Sequence, residues 1–410
     1  MAKPGTRAVD KRMRLVTTLE GEEEPVSAVC RRFGVSRKTG YKWLERYRAE
    51  GLEGLADRSR APHEHPQAVR EDVAADCLAV RHRHPTWGPV KVRAWLERHW
   101  PQRRWPAAST IGELFDREGL TVKRRRRQRA VPSSAPFAGC GEANAVWCID
   151  FKGWFLTGDG SHCGPLTLSD AYSRYLLRCQ VLGRGDGEHV WPVLDAAFRE
   201  WGLPVRLRSD NGAPFASTGA GGLSQLAVKV IKAGVLPERI TPGKPQQNGR
   251  LERLHLTLLQ DTASPPARSL RQQIDRFRRF QRLYNEERPH TALGNATPAE
   301  HYAASPRRWD GVLREPEYPA EHEVRRVRHN GTIRWRGREI YINQALTGEP
   351  IGLSERADGN WLACYGPIEL GIIDHRNDRL RRDKQTARGL VDNPAGFSTT
   401  PPAQQPQQTT

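Results

Sequence analysis

At residues 145–152 the chain reads AVWCIDFK. Its side chains alternate with the period of two that is typical of a strand, and most of them are apolar. Asp150 stands in the middle of this apolar stretch, where a carboxylate costs several kcal/mol unless it is paired or bound to a metal. The stretch therefore predicts a core strand that carries a functional acid.

Strands and helices keep alternating to about residue 305, which predicts a central α/β domain over residues 141–305. A long apolar run at 166–182 fits one or two further strands with a turn near 170–173. The remaining expected elements are a helix at 190–201, a short strand at 205–207, a helix between 221 and 234, and helices that start at 250 and 270.

Two more acids stand at the ends of expected elements in this domain. Asp210 closes the short strand before an Asn-Gly turn, and Glu252 opens a helix after the Gly, Pro and Gln loop at 242–249. Taken singly, Asp210 is a common turn residue and Glu252 complements a helix dipole. Three converging carboxylates would instead bind Mg²⁺ or Mn²⁺ through oxygen. A fourth acid, Asp170, is expected to close a turn and pair with Arg174, and is not counted as a ligand.

Residues 7–58 are expected to be all-α. A helix at 25–33, a left-handed stop at Gly34 and a helix capped by Ser36 together predict a helix-turn-helix domain. The second helix would offer several donors to phosphates and base edges, namely Arg37, Lys38, Tyr41, Lys42 and Arg46. The alternative is an ordinary helical hairpin whose basic residues face solvent.

Residues 70–121 show a similar pattern of short helical segments and predict a second helical DNA-binding domain. Its expected helices lie at 73–81, at 88–100 and around Thr110, which with Glu113 would cap the third. Residues 122–140 form a basic linker.

The basic run at the start of this linker cannot pack into a core and fits an arm along phosphates. Its residues are Lys123, Arg124, Arg125, Arg126 and Arg127. A solvated linker or a localisation tract is the alternative.

The chain ends in a different pattern. Alternating residues at 333–335, 340–342 and 361–365, broken by Asn-Gly and Asp-Gly-Asn turns, predict a small β-barrel over residues 320–380. Residues 386–410 are rich in Thr, Pro and Gln and are expected to be disordered. The sequence thus predicts a multidomain protein.

The amino-acid composition indicates which classes of binding partner and which cellular compartment to expect. The 410 residues include 65 Lys and Arg against 47 Asp and Glu, a net charge of +18, and the first 130 residues hold 29 basic and 17 acidic residues of these. Such asymmetry favours DNA or RNA over a membrane. With a mean hydropathy of -0.70 no spanning helix is expected. The chain has seven Cys and no C-x-x-C pair, which predicts a reducing cytoplasm. No apolar stretch follows the basic first 15 residues, so secretion is not expected.

Three blocks carry a family resemblance: WCIDFK at 147–152, SDNGAPF at 209–215 and PQQNGRLER at 245–253. They resemble the catalytic blocks of bacterial insertion-sequence transposases with a retroviral-integrase-type core. The stretch RPHTAL at 288–293, followed by Thr297 and Pro298, is similar to the segment that closes that core. With the flanking domains, the resemblance covers about residues 10–375.

The resemblance implies a ribonuclease-H-like catalytic core with a DDE triad of Asp150, Asp210 and Glu252 that holds two Mg²⁺ or Mn²⁺ ions. Such enzymes cut at the 3′ ends of their element and join them to target DNA. Double-stranded DNA, as inverted repeats and target, is the implied partner, with a dimer or higher multimer on DNA and a place near the bacterial nucleoid.

The chain departs from retroviral integrases in two ways. It has 41 residues between Asp210 and Glu252, a surplus that fits the Gly-rich loop at 217–222. It also lacks a His-His-Cys-Cys pattern, since His63, His65, His82 and His84 have no Cys pair at ligand spacing. No zinc is expected.

The loop before Glu252 is itself expected to hold the DNA end, with a plain surface loop as the alternative. Its candidate donors are Lys244, Gln246, Gln247, Asn248 and Arg250. Two other functions stay open: a catalytically silent DNA-binding regulator derived from a transposase, and a structure-specific nuclease that hydrolyses without joining.

Overall fold

The computed structural model describes residues 4–21, 24–58, 69–121, 139–241, 245–374, 376 and 379–381. It divides into two compact units, Met1–Val69 and Arg70–Thr410. None of the helices within these ranges is both long and apolar enough to cross a membrane. The expectations for the basic run at 123–127, for Lys244 and for the tail at 386–410 fall on residues outside the described ranges.

The first unit is helical, as predicted. Its elements are α1 (Pro4–Glu20), α2 (Val26–Arg32), α3 (Arg37–Glu50) and a 3-10 turn at Gly51–Leu55. Gly34 has a φ of +66°, and the Ser36 hydroxyl accepts a hydrogen bond from the Thr39 amide at 3.2 Å. The turn and the cap of the predicted helix-turn-helix are therefore confirmed, and Leu15, Val29 and Leu44 pack in its core.

The second unit begins with three helices. They are α4 (Glu71–Arg83), α5 (Pro89–His99) and α6 (Ala108–Arg117). The predicted cap of α6 is wrong, because Ala107 occupies the N-cap and Thr110 lies inside the helix.

These three helices are fixed to the following domain by polar contacts. The Thr86 hydroxyl donates to Asp261 at 2.6 Å, and the Lys91 ammonium donates to the carbonyl of Pro289 at 2.7 Å. Asp261 also pairs with the buried Arg288 at 3.1 Å. The second helical region and the central domain therefore share one polar junction.

A five-stranded mixed sheet forms the centre of the second unit. Its strands are β1 (Val146–Phe151), β4 (Pro165–Asp170), β5 (Leu176–Val181), β6 (Arg206–Ser209) and β7 (Leu236–Arg239), with the hairpin β2 (Phe155–Leu156) and β3 (His162–Cys163) between β1 and β4. The order is β5-β4-β1-β6-β7. The central β1 runs antiparallel to β4 and parallel to β6.

Helices cover both faces of this sheet. They are α7 (Gly187–Trp201), α8 (Gln225–Lys232), α9 (Gly249–Thr262) and α10 (Leu270–Arg282). Trp147 and Ile149 of β1 pack in one core with α7 and α8, and Val146 and Cys148 pack in another with α9 and α10. Because side chains alternate along a strand, Asp150 lies on the α9 side. The predicted central α/β domain is confirmed.

The C-terminal strands form an open sheet. They are β8 (Glu323–Arg326), β9 (Thr332–Trp335), β10 (Arg338–Tyr341), β11 (Pro350–Glu355), β12 (Trp361–Tyr365), β13 (Ile368–Asp374) and β14 (Arg379–Arg381). Five of them pair in the order β14-β13-β12-β11-β8, and β9 and β10 form a separate hairpin. The predicted closed β-barrel is not confirmed for the described strands.

The sheet covers its apolar face with a helix of the central domain instead of closing on itself. Ala227, Val228 and Ile231 of α8 share one core with sheet residues such as Ile351 and Tyr365. An ion pair of 2.7 Å between Lys232 of α8 and Glu349 reinforces this contact.

The Gly-rich loop before α8 also lies against the C-terminal residues. The Asn343 side chain donates to the carbonyls of Ala220 and Leu223 at 3.1 and 3.2 Å. A Cβ at Gly221 would stand 3.0 Å from Leu370. A Cβ at Gly221 would therefore force its C-terminal neighbours to shift.

Candidate active site

Two of the three predicted acids lie side by side on the sheet. In the parallel pairing of β1 with β6, Cys148 stands opposite Arg208. Asp150 and Asp210 each follow this pair by two residues, and the charge of Asp210 acts on the Asp150 carboxyl. The Gly212 amide donates to the Asp210 carboxylate at 3.1 Å and holds it at the strand end.

The Asp150 carboxyl is partly buried and meets a second acid. Burial, and then the charge of the nearby Asp210 carboxyl, raise its pKa to about 6 from the ordinary 3.8. The amide of Asn248 opposes these effects by donating to Asp150 at 3.3 Å. A desolvated carboxylate beside another is an environment that a cation would stabilise.

Helix α9 presents one row of residues to this pair of strands. Asn248, at its N-cap, contacts Asp150. One ring nitrogen of His255, its Nε2, lies 2.7 Å from the hydroxyl of Thr167, and Thr167 is the β4 partner of Asp150. Glu252 is four residues after Asn248 and three before His255, so the helix period puts it in the same row.

The structure does not bring all three acids into one cluster. Glu252 is exposed. In the part of the chain that the structure describes, no group of three His, Cys, Asp or Glu side chains is close enough to hold a metal ion. Glu252 therefore lies in the row that faces Asp150 without closing a three-acid site.

Comparison with known proteins identifies the family. Models described as "Integrase core domain" match residues 141–245 and 233–298. In front of them, a "Helix-turn-helix domain" matches residues 11–63 and a "Homeodomain-like domain" matches 39–115. Residues 322–380 match "IS481 family transposase, C-terminal domain".

Curated relatives agree with these models. The chain is 30% identical to the "Insertion element IS407 uncharacterized 31.7 kDa protein" of Burkholderia multivorans over 58% of its own length and 83% of that protein. The chain belongs to the insertion-sequence transposases with an integrase core. It is also 25% identical to the "Insertion element IS476 uncharacterized 39.2 kDa protein" of Xanthomonas euvesicatoria, over 67% of its own length and 77% of that protein.

Among solved structures, the transposase resembles the catalytic core domain of BIV integrase. The two share 19% identity over 38% of the transposase and 92% of the integrase domain, with a TM-score of 0.30. The predicted ribonuclease-H-like integrase core is supported by the family models. The integrase core places the transposase among the polynucleotidyl transferases, and its helix-turn-helix domain binds DNA.

The predicted DNA-binding residues of the first unit lie on α3. Arg37, Lys38, Tyr41 and Lys42 are exposed. The guanidinium of Arg46 is half-buried and stands 5.2 Å from the ring centre of Trp43, which Lys42 also approaches, at 4.9 Å.

Three of the predicted donors before Glu252 make contacts within the protein, while the side chain of Gln246 lies outside the described part of the chain. The Gln247 side chain accepts from the Thr241 amide at 2.6 Å, and the buried Asn248 contacts Asp150. Arg250 donates to the carbonyl of Ala171. Burial, and then the charge of Arg174, lower the pKa of the Arg250 guanidinium to about 10.

The sequence predicted only part of the surroundings of Asp170. This buried carboxylate accepts from the amide and hydroxyl of Ser173, at 2.7 and 2.6 Å, and from the Asn144 amide at 2.8 Å. It does close a strand turn as predicted, and the Arg174 amide donates to its backbone carbonyl at 3.1 Å. Ser173 and Asn144, rather than the Arg174 side chain, donate to the carboxylate. The Asp-x-x-Ser spacing is a turn signal that could have indicated this.

The sequence also missed His255. Burial and then the charge of Lys152 lower the pKa of its imidazole to about 4. It is therefore neutral at pH 7 and orients Thr167 beside Asp150. Its spacing of three residues from Glu252 on a helix was the available signal.

Proposed function

We propose that the transposase cuts the 3′ ends of its element and joins them to target DNA with Asp150, Asp210 and Glu252 as its catalytic acids. The observation that carries this proposal is the row Asn248, Glu252 and His255 on α9, because its two outer members contact Asp150 and the Asp150 partner Thr167. In this proposal the exposed Glu252 carboxylate joins the two aspartates when metal and DNA bind.

Divalent cations fit these donors. The pKa of Asp150 is raised by burial and by Asp210, so the pair lacks a positive neighbour strong enough to offset its charge. Hard oxygen donors of this kind prefer Mg²⁺ or Mn²⁺. Two such ions would activate a water or hydroxyl and stabilise the leaving oxygen of an in-line phosphoryl displacement.

The protein's own residues orient the reaction. Asn248 fixes one oxygen of Asp150, and the Gly212 amide fixes one oxygen of Asp210. Arg250 ties the start of α9 to the turn after β4 through Ala171. These contacts hold the acids in place before DNA arrives.

End recognition is assigned to the first unit. The exposed donors Arg37, Lys38, Tyr41 and Lys42 on α3 suit phosphates and base edges of the terminal inverted repeats. The basic run at 123–127 would add phosphate contacts. Because two ends must be held together, we propose a dimer or higher multimer on DNA.

A strand-transfer assay tests this function. It uses the full chain, Mg²⁺ or Mn²⁺, labelled DNA with the inverted repeats that flank the gene, and a target plasmid. Glu252→Gln should abolish joined products and leave end binding nearly intact. The matched control is Glu369→Gln, an exposed acid on β13, which should join as the wild type does.

Each other outcome has its own meaning. Binding without cutting or joining under either metal would favour the regulator, and cut ends that are never joined would favour the nuclease. Loss of end binding in Glu252→Gln would contradict its assignment as a metal ligand. Neutralising residues 123–127 should weaken binding and flatten its salt dependence, and an unchanged slope would remove this run from the DNA contacts.

A further inference from the structure

The hairpin β2–β3 follows directly after the catalytic strand. Phe155 pairs with Cys163 and Leu156 with His162. Side chains alternate between the two faces of such a hairpin, so Phe155 and Cys163 share one face while Leu156 and His162 share the other.

The inner face fixes the hairpin to the core. Cys163 is fully buried, and the Phe155 ring meets Phe277 of α10 edge-on at 6.4 Å. At the tip, the Gly158 amide donates to the carbonyl of Ala267 at 2.9 Å. The hairpin is therefore a rigid projection rather than a loose loop.

The outer face is apolar and open to solvent. Trp154 is 67% exposed, and Leu156, two residues later on the same face, is 47% exposed. The Trp154 ring lies 4.6 Å from that of His162. A solvent-facing strand is normally polar, so an aromatic pair beside an exposed leucine on a fixed hairpin points to a partner.

The distance along the chain identifies where that partner must lie. Trp154 comes four residues after Asp150, so their Cα atoms are within about 14 Å of each other. Successive nucleotides of a DNA strand are about 3.4 Å apart along the axis. The indole is therefore confined to the few nucleotides nearest the phosphate at Asp150.

We propose that Trp154, supported by His162 and Leu156, stacks on an unpaired base of the DNA end next to the scissile phosphate. An aromatic face accepts any base, so this contact would hold a frayed end independently of its sequence. A second copy of this chain is the competing occupant. DNA is favoured because Trp154 lies four residues after Asp150 in a chain of net charge +18.

The test measures binding apart from chemistry. Full-length protein is titrated in EDTA with element ends that are fully paired, frayed, or frayed with one base removed at each of the last six positions. Trp154→Ala should weaken binding of frayed ends about tenfold, within the range of 5- to 150-fold that base stacking gives. Trp154→Phe should recover most of that loss.

A cycle of protein and DNA changes assigns the contact. On wild-type protein, removal of one particular base should cost the same factor as Trp154→Ala, and the two together should cost no more than either. Additive losses, or equal losses on paired and frayed ends, would overturn the proposal. Tyr341→Ala is the matched control, because Tyr341 is likewise an exposed aromatic residue, at 56%, and lies on β10.

Two readouts separate base stacking from self-association and from failure of the proposed function. If Trp154→Ala changes the oligomeric state of DNA-free protein, the patch is a contact between copies and the proposal is wrong. The inference rests on the proposed function, yet the two can fail separately. If wild-type protein does not join DNA ends, the proposed function is wrong. If it joins them but binding at no base position depends on Trp154, only the stacking proposal is wrong. The base-removal scan on wild-type protein remains decisive even if the variant folds poorly.

Discussion

Asp150→Asn should make the metal-free transposase more stable at neutral pH while it abolishes strand transfer. The Asp150 carboxyl is partly buried beside Asp210, and burial is the main cause of its raised pKa of about 6. An asparagine there carries no charge and can still accept the hydrogen bond that Asn248 donates. The substitution therefore removes an unfavourable charge and keeps the local contact.

The magnitude follows from the pKa. A folded pKa of about 6 against 3.8 for the ordinary carboxyl corresponds to about 3 kcal/mol at 1.36 kcal/mol per pKa unit. This is an upper bound because part of Asp150 remains in water. The folded protein binds the proton of the Asp150 carboxyl more tightly than the unfolded chain does. The stabilisation that this proton contributes is therefore fully present below pH 3.8 and is lost as the pH rises to about 6.

Urea unfolding in EDTA, at pH 5 and at pH 8, measures this effect. The advantage of Asp150→Asn over wild type should be larger at pH 8 than at pH 5, by about half of its full value. The control is Asp275→Asn on α10, whose exposed carboxylate pairs with Arg278 at 3.2 Å; it should stay within about 0.5 kcal/mol of wild type at both values. An advantage that is absent at pH 8, or equal at both pH values, would refute the reasoning.

Three further predictions concern buried contacts and are checked by unfolding. Lys232→Met leaves Glu349 without its ion-pair partner at 2.7 Å and should lower the free energy of unfolding by about 1–3 kcal/mol. Adding Glu349→Gln should restore part of this loss, and an equal loss in the single and double variants would contradict the pairing. Arg288→Met removes the ion-pair partner of Asp261, which keeps its hydrogen bond from Thr86. It should cost about 1–3 kcal/mol of unfolding free energy and speed hydrogen exchange in α5, whereas unchanged exchange would show that this junction does not hold the helices. Gly221→Ala forces a φ of +63° on a residue with a Cβ and should cost about 1 kcal/mol, so a neutral result would mean that the loop rearranges freely.

The sequence predicted the elements whose signals are local. The alternation around Asp150 indicated β1, and the glycine at position 34 with the cap at Ser36 indicated the helix-turn-helix. Such patterns work because strand period, left-handed turns and caps depend on a few neighbouring residues. The two aspartates were predictable for the same reason, since each ends or occupies a recognisable strand.

Contacts between distant segments were not predictable in this way. The closed barrel was expected because the C-terminal strands alternate, but alternation does not say what covers the apolar face, and α8 covers it. The cap at Thr110 failed because the helix starts earlier, at Ala108. His255 escaped notice because its partner Thr167 is 88 positions away in sequence.

The packing of α8 determines whether a protein that lacks the C-terminal sheet can remain folded. Ala227, Val228 and Ile231 are buried only because the C-terminal sheet lies on them, while the opposite side of the same helix belongs to the central core. A copy of the gene that stops before residue 320 would encode a chain whose helix turns an apolar row to water. Such a chain is expected to aggregate or be degraded. The C-terminal sheet is thus needed by the catalytic domain even though Asp150, Asp210 and Glu252 all precede residue 320.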